Sequence, residues 1–231
     1  MSIAKLIDHS LLHPTMTDEE LRAGCELAKR CEVASVCIKP YAVPMAVAIL
    51  QGSGVEVGTV IGFPHGGNAT EIKVVEAELA CQQGATELDM VVNIGKVLSG
   101  EWDYVLADIC AVVEVAHRHG AITKVIFEND FLPDDADKIR LCEICEAAGA
   151  EFVKTSTGFG FVKQPDGDYN YRGATEEDIR LMRGHCSDRV QIKAAGGVRS
   201  YADAIRMRDL GVTRIGASAT EKIIEEEREA R

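Results

Sequence analysis

Two lysines and two aspartates carry the chemistry this sequence has to offer. Lys154 stands in Phe152-Val153-Lys154-Thr155-Ser156 and Lys193 in Gln191-Ile192-Lys193-Ala194-Ala195, each in the middle of a short apolar run. Successive side chains of a strand point to opposite faces, so if Val153 and Ile192 pack outward, both lysines point inward. The same alternation in Glu87-Leu88-Asp89-Met90-Val91-Val92 turns Leu88, Met90 and Val92 outward and Asp89 inward. An ammonium taken out of water is strongly destabilised unless it is paired or used. A purely structural arrangement would balance Lys154 and Lys193 with Asp89 and Asp8. The chemical alternative is that one cation raises the energy of the other, so that an amine stays neutral near pH 7 and attacks a carbonyl carbon. Schiff-base formation at Lys154 is the reaction this pair suits.

The elements that must position these groups follow from the pattern around them. Short β-branched or apolar runs alternate with helical stretches from end to end, which is the signature of a parallel sheet covered by helices. Eight such runs fall at 6–10, 35–38, 57–62, 87–92, 123–127, 152–155, 191–195 and 214–216. Thr17 before Asp18-Glu19-Glu20 and Thr175 before Glu176-Glu177-Asp178 read as helix N-caps followed by acids in the first turn. Gly84, Gly120, Gly149 and Gly211 read as helix stops. The expected architecture is α/β, a single (β/α)₈ barrel over residues 1–231. An open doubly wound sheet is the competing arrangement, but no G-x-G-x-x-G turn opens a helix near the N-terminus to support it.

Strand ends on one face of such a barrel collect the chemistry. Gly196 and Gly197 follow Lys193, Gly158 and Gly160 follow the Lys154 strand, and Gly216 precedes Ser218. Bare backbone N–H groups after the last strands, backed by a helix start, form an anion cradle, so a phosphorylated substrate is expected there. The longest connection, residues 158–173, is turn-rich and polar and carries Lys163 and Arg172. Arg172 is expected to supply the cation for the phosphate, because its planar fork suits a phosphate and it stands where the loop returns to the next helix.

Composition sets outer bounds. The 231 residues include 46% hydrophobic and 27% charged positions, as in an ordinary globular domain able to bury a core. A formal net charge of -12 disfavours nucleic acid and acidic membrane surfaces as partners. The start, Met1-Ser2-Ile3-Ala4-Lys5, lacks the apolar run of a signal peptide, and no stretch is apolar enough to span a bilayer, so a cytoplasmic location is expected. The eight cysteines are expected as free thiols, with Cys142 and Cys145 packing within a helix. A metal site is not expected: His117 and His119 cannot share a helix face, and His9, His13, His65 and His185 are scattered.

With these motifs placed, the chain resembles the 2-deoxyribose-5-phosphate aldolase family over nearly its whole length. The likeness rests on Lys154-Thr155-Ser156-Thr157-Gly158, Lys193-Ala194-Ala195-Gly196-Gly197-Val198-Arg199 and Glu87-Leu88-Asp89. It extends through Ile7-Asp8-His9-Ser10-Leu11-Leu12, Val36-Cys37-Ile38, Gly62-Phe63-Pro64-His65-Gly66 and Val125-Ile126-Phe127-Glu128. The resemblance implies reversible cleavage of 2-deoxy-D-ribose 5-phosphate to acetaldehyde and D-glyceraldehyde 3-phosphate, without metal or organic cofactor, in a homodimer. It implies Lys154 as the Schiff-base nucleophile, Lys193 as the neighbouring cation, Asp89 as the carboxylate of a proton relay and Asp8 as a supporting acid. Cys37 and Thr155 would line the substrate pocket, and Gly158, Gly196, Gly197, Gly216 and Ser218 would hold the phosphate. Phe159 and Ala219 stand where some members carry a lysine and a second serine. Another lysine-dependent aldolase with a different aldehyde substrate, and a non-catalytic sugar-phosphate-binding barrel, are the rival readings.

Overall fold

The computed structural model describes residues 2–230. Eight parallel strands close into a barrel: β1 (Ile7–Leu11), β2 (Ser35–Ile38), β3 (Glu56–Ile61), β4 (Glu87–Val91), β5 (Ile122–Ile126), β6 (Phe152–Lys154), β9 (Gln191–Ala195) and β10 (Arg214–Ala217). β10 pairs with β1 to complete the ring, and β6 pairs directly with β9. Between them the chain makes a two-stranded antiparallel hairpin, β7 (Val162–Lys163) and β8 (Tyr169–Asn170), inside the stretch read from sequence as a polar loop. The barrel excludes the open-sheet alternative, and each expected strand lies within one residue or so of its observed place.

Helices cover the barrel because each presents an apolar stripe to it. They are α1 (Asp18–Cys31), α2 (Val43–Leu50), α3 (Thr70–Gln82), α4 (Ile94–Leu98), α5 (Trp102–Arg118), α6 (Asp135–Ala148), α7 (Glu176–His185), α8 (Tyr201–Asp209) and α9 (Thr220–Glu229). Thr17 caps α1 in a full capping box, accepting from the Glu20 N–H while the Glu20 carboxylate accepts from the Thr17 N–H at 2.7 Å. Thr175 caps α7 through the Asp178 N–H. Gly84, Gly120, Gly149 and Gly211 all take positive φ at the turns back toward the next strand, as their positions after helical stretches predict. All eight cysteines are free, and Cys142 and Cys145 are buried on α6. No helix among the described residues is long and apolar enough to cross a membrane.

The core is the layer between strands and helices. Leu88, Met90, Val92, Val153 and Ile192 all belong to it, so the outward parity assigned to them holds. A buried polar contact crosses that layer: Lys73 on α3 donates to Asp108 on α5 at 2.6 Å and to the Val91 carbonyl at the end of β4 at 2.9 Å. Both side chains are wholly buried. Removing one partner leaves the other charge uncompensated in the core, which costs far more than the pair contributes. Asp108→Ala should therefore lower stability by about 3–5 kcal/mol in denaturant unfolding. The double variant Lys73→Met/Asp108→Ala should lose distinctly less; equal losses would show that the pair's charge is not the cause.

Candidate active site

Inside the barrel the inward side chains meet at consecutive register positions. Lys154 on β6 lies opposite Lys193 on β9, and Lys193 lies opposite Arg214 on β10. Asp89 on β4 lies opposite Lys124 on β5. One Asp89 oxygen accepts from Lys154 at 2.6 Å and from Lys193 at 2.7 Å, and the other accepts from Lys124 at 2.9 Å. Asp8 on β1 pairs with Lys193 at 2.5 Å and with Arg214 at 2.6 Å. Glu87 pairs with Lys124 at 2.6 Å and with Arg214 at 2.8 Å.

Four cationic side chains thus face three carboxylates, so the cluster carries one surplus positive charge if every group is ionised. A buried cluster relieves that surplus by leaving one amine unprotonated. The lysines differ in how many carboxylates they touch: Lys124 has three, Lys193 two and Lys154 one. Burial, together with the adjacent Lys193 ammonium, pulls the Lys154 amine below the usual lysine range against the opposing pull of Asp89. Burial acts on Lys193 and Lys124 in the same sense, but Asp8 and Asp89 outweigh it and hold both above that range. Asp89 is kept well below the carboxylate range by Lys124, Lys154 and Lys193 despite its burial. The arrangement places one amine of lowered proton affinity beside an ammonium and a carboxylate.

A cavity of about 660 Å³ opens above this cluster at the C-terminal ends of the strands. Lys154, Lys193, Asp8 and Cys37 line its floor, with Gly158, Gly196, Gly197, Gly216 and Ser218 around one end. Asp89 lies beneath the lysines and is fully buried, in contact with the Cys37 thiol at 3.8 Å. Burial pushes the Cys37 thiol up to about 11, so it is a neutral wall of the pocket. Leu12, Cys37 and Val60 form a small apolar cluster with Phe63 and Phe159, separate from the main core, and Leu12, Cys37 and Phe159 line the cavity. Among the described residues no three His, Cys, Asp or Glu side chains converge as metal ligands.

Two expected positions do not face this cavity. The Thr155 hydroxyl is buried between β6 and β9, donating to the Ala195 carbonyl and accepting from the Ala195 N–H, both at 3.1 Å. It ties the two lysine-bearing strands together, because the side chain after an inward lysine must point the other way. Arg172 lines a separate depression with Asp134, Asp135, Lys138 and Glu177, and is not among the residues that line this cavity. Arg199 lines the cavity beside Gly197, is exposed, and its guanidinium has no ion pair among the described residues.

Sequence reasoning missed Lys124, Glu87, Arg214 and Arg199. The first three obey the same alternation as Asp89, and Lys124 in Ile122-Thr123-Lys124-Val125-Ile126 is an inward lysine by the rule already applied to Lys154. Arg199 closes the motif that begins at Lys193 and carried its own signal. His9 and His13 both line the cavity; His9 is buried, bonds Thr220 at the start of α9 at 2.8 Å, and burial lowers it to about 4.

Comparisons with known proteins agree with this geometry. Residues 2–219 match the DeoC/LacD family aldolase domain. The chain is 52% identical to a deoxyribose-phosphate aldolase of Rhodopirellula baltica, over 98% of this chain and 89% of that one. It is 51% identical to a deoxyribose-phosphate aldolase of Caldanaerobacter subterraneus, over 98% of this chain and 94% of the other. Among solved structures, a putative deoxyribose-phosphate aldolase from Coccidioides immitis superposes with a TM-score of 0.90 at 40% identity, covering 98% of this chain and 85% of that one. The deoxyribose phosphate aldolase of Aeropyrum pernix, described as tetrameric, superposes with a TM-score of 0.86 at 30% identity, covering 99% and 92%. A closed barrel with Lys154 and Lys193 facing one cavity, matched by relatives along its whole length, belongs to the DeoC/LacD aldolase family.

Proposed function

We propose that this aldolase cleaves 2-deoxy-D-ribose 5-phosphate reversibly into acetaldehyde and D-glyceraldehyde 3-phosphate, with Lys154 as the Schiff-base nucleophile, in the cytoplasmic breakdown of deoxyribose phosphates. The observation that carries the reading is the position of Lys154: it lines the cavity and has the fewest carboxylate partners of the three interior lysines. Its neutral amine adds to C1 of the open-chain sugar, and loss of water gives the iminium. The C3 hydroxyl gives up its proton as the C2–C3 bond breaks, and the bonding pair flows into the iminium to form the enamine. D-Glyceraldehyde 3-phosphate leaves; protonation of the enamine carbon and hydrolysis release acetaldehyde and the amine. Lys193, Asp89 and Asp8, working through water, form a proton store within reach of both steps. The relatives named deoxyribose-phosphate aldolase support the choice of substrate.

The glycine end of the cavity would hold the phosphate through the backbone at Gly158, Gly196, Gly197 and Gly216 and the Ser218 hydroxyl, with Arg199 as the cation. Holding the remote phosphate fixes the reacting carbon against Lys154. A homodimer is the proposed assembly, supported by the exposed apolar stripe of Ile72, Val75 and Leu79 along α3.

Incubation with acetaldehyde and borohydride should add a reduced two-carbon adduct at Lys154, detected by peptide mass spectrometry, and Lys154→Ala should abolish it. An active enzyme that gives no adduct would sink the Schiff-base reading. Lys193→Leu removes the ammonium that holds the Lys154 amine down and frees Asp89 to hold the Lys154 proton. The Lys154 pKa then rises, the neutral fraction at a given pH falls, and the pH–rate profile should move to higher pH. An unchanged profile in an active variant would take this role away from Lys193. Arg199→Ala should raise KM for the phosphorylated sugar by about tenfold and leave that for unphosphorylated deoxyribose nearly unchanged. Arg172→Ala should change neither.

A further inference from the structure

The connection from β6 to α7 is held against the glycine end of the cavity rather than waving above it. As it returns, the Asp130 carboxylate accepts from two successive backbone N–H groups, Arg172 at 2.7 Å and Gly173 at 2.9 Å. The Ala174 N–H donates to the Gly196 carbonyl at 3.1 Å. Gly173 has φ +70°, and a Cβ there would lie 2.7 Å from the Gly196 carbonyl carbon, so only glycine allows this approach. These contacts fix the backbone just after Tyr171. Its ring packs edge-on against Phe161, with centroids 5.1 Å apart, and its Cε2 lies 3.3 Å from where a Cβ on Gly196 would stand. Tyr171 lines the cavity, is half-buried, and among the described residues its hydroxyl has no hydrogen-bond partner. A phenol beside a glycine cradle whose O–H no described protein group accepts is free to donate to an acceptor from outside the protein.

We propose that Tyr171 is a specificity-determining residue that donates a hydrogen bond to the substrate phosphate, and that Asp130 is the positioning residue that holds it over the cradle. The proposal rests on the phosphate lying at the glycine end. Tyr171 takes over, from beside Gly196, part of what Arg172 was expected to do from the same loop. Its hydroxyl adds a hydrogen bond to an anion, which is stronger than one between neutral groups. Asp130 touches no substrate; it acts by fixing the backbone on the C-terminal side of Tyr171.

The experiment compares steady-state kinetics of Tyr171→Phe, Tyr171→Ala, Asp130→Ala and the double variant Tyr171→Ala/Asp130→Ala on 2-deoxyribose 5-phosphate and on unphosphorylated deoxyribose, with Arg199→Ala alongside. Tyr171→Phe should raise KM for the phosphorylated sugar about fivefold and Tyr171→Ala about tenfold, with the change in kcat small by comparison and the unphosphorylated substrate little affected. Asp130→Ala should raise the same KM by several fold, and the double variant should be no worse than Tyr171→Ala, because Asp130 acts through Tyr171. A wild-type KM in Tyr171→Phe would overturn the hydroxyl contact, and additive losses in the double variant would overturn the role of Asp130. If Arg199→Ala raises KM while the Tyr171 variants do not, the proposal fails and the phosphate reading stands. If neither changes it, both fail together.

Discussion

A surplus of one positive charge in a closed, water-poor barrel is the constraint on which this site depends. Lys124, Lys154, Lys193 and Arg214 share Asp8, Glu87 and Asp89, and no rotamer change can give every cation its own carboxylate. Charged groups interact strongly where water is scarce, so the unequal sharing decides which lysine holds its proton least firmly. Asp89 is central because one of its oxygens serves both Lys154 and Lys193. The arrangement is a structural ion-pair network and an activated amine at once. The two readings opposed at the level of sequence describe different members of one cluster.

The scaffold serves that cluster by fixing heights and directions. Parallel register sets Lys154 level with Lys193, and the Thr155 hydroxyl bridges to Ala195 one step further along, so the two lysine strands cannot slide past each other. On the far side of β4, the buried Lys73–Asp108 pair reaches the Val91 carbonyl and ties α3 and α5 to the strand that carries Asp89. Above the cluster the cavity is lined both by glycines with Arg199 and by the apolar Leu12, Cys37 and Phe159. The net charge is -12, yet Lys154, Lys193 and Arg199 all line this one cavity.

Much of this was legible in the sequence. The strand positions, the helix caps at Thr17 and Thr175 and the inward parity of Asp89, Lys154 and Lys193 all follow from local rules. Alternation along a strand and capping at a helix end are decided within a few residues. The same rules also pointed to Lys124, which went unread because a single inward lysine carries no sign of its neighbours. The motifs from Lys154 to Gly158 and from Lys193 to Arg199 marked the cavity before any strand was paired.

What the sequence by itself determined was therefore which residues point into the barrel; what only the tertiary structure decided was how they share charge and which loop residue reaches the site. The order in which Asp8, Glu87 and Asp89 distribute themselves among four cations depends on distances across strands that are far apart in the chain. So does the fate of the 158–173 connection. Its charges suggested Arg172 as the phosphate partner, but that residue lines another depression, beside Asp134, Asp135 and Glu177. Asp130, over forty positions away, binds the same stretch of backbone at Arg172 and Gly173, next to Tyr171, which lines the cavity. Side-chain direction in a strand is a local property, whereas electrostatic partnership and loop placement are sums over the whole fold.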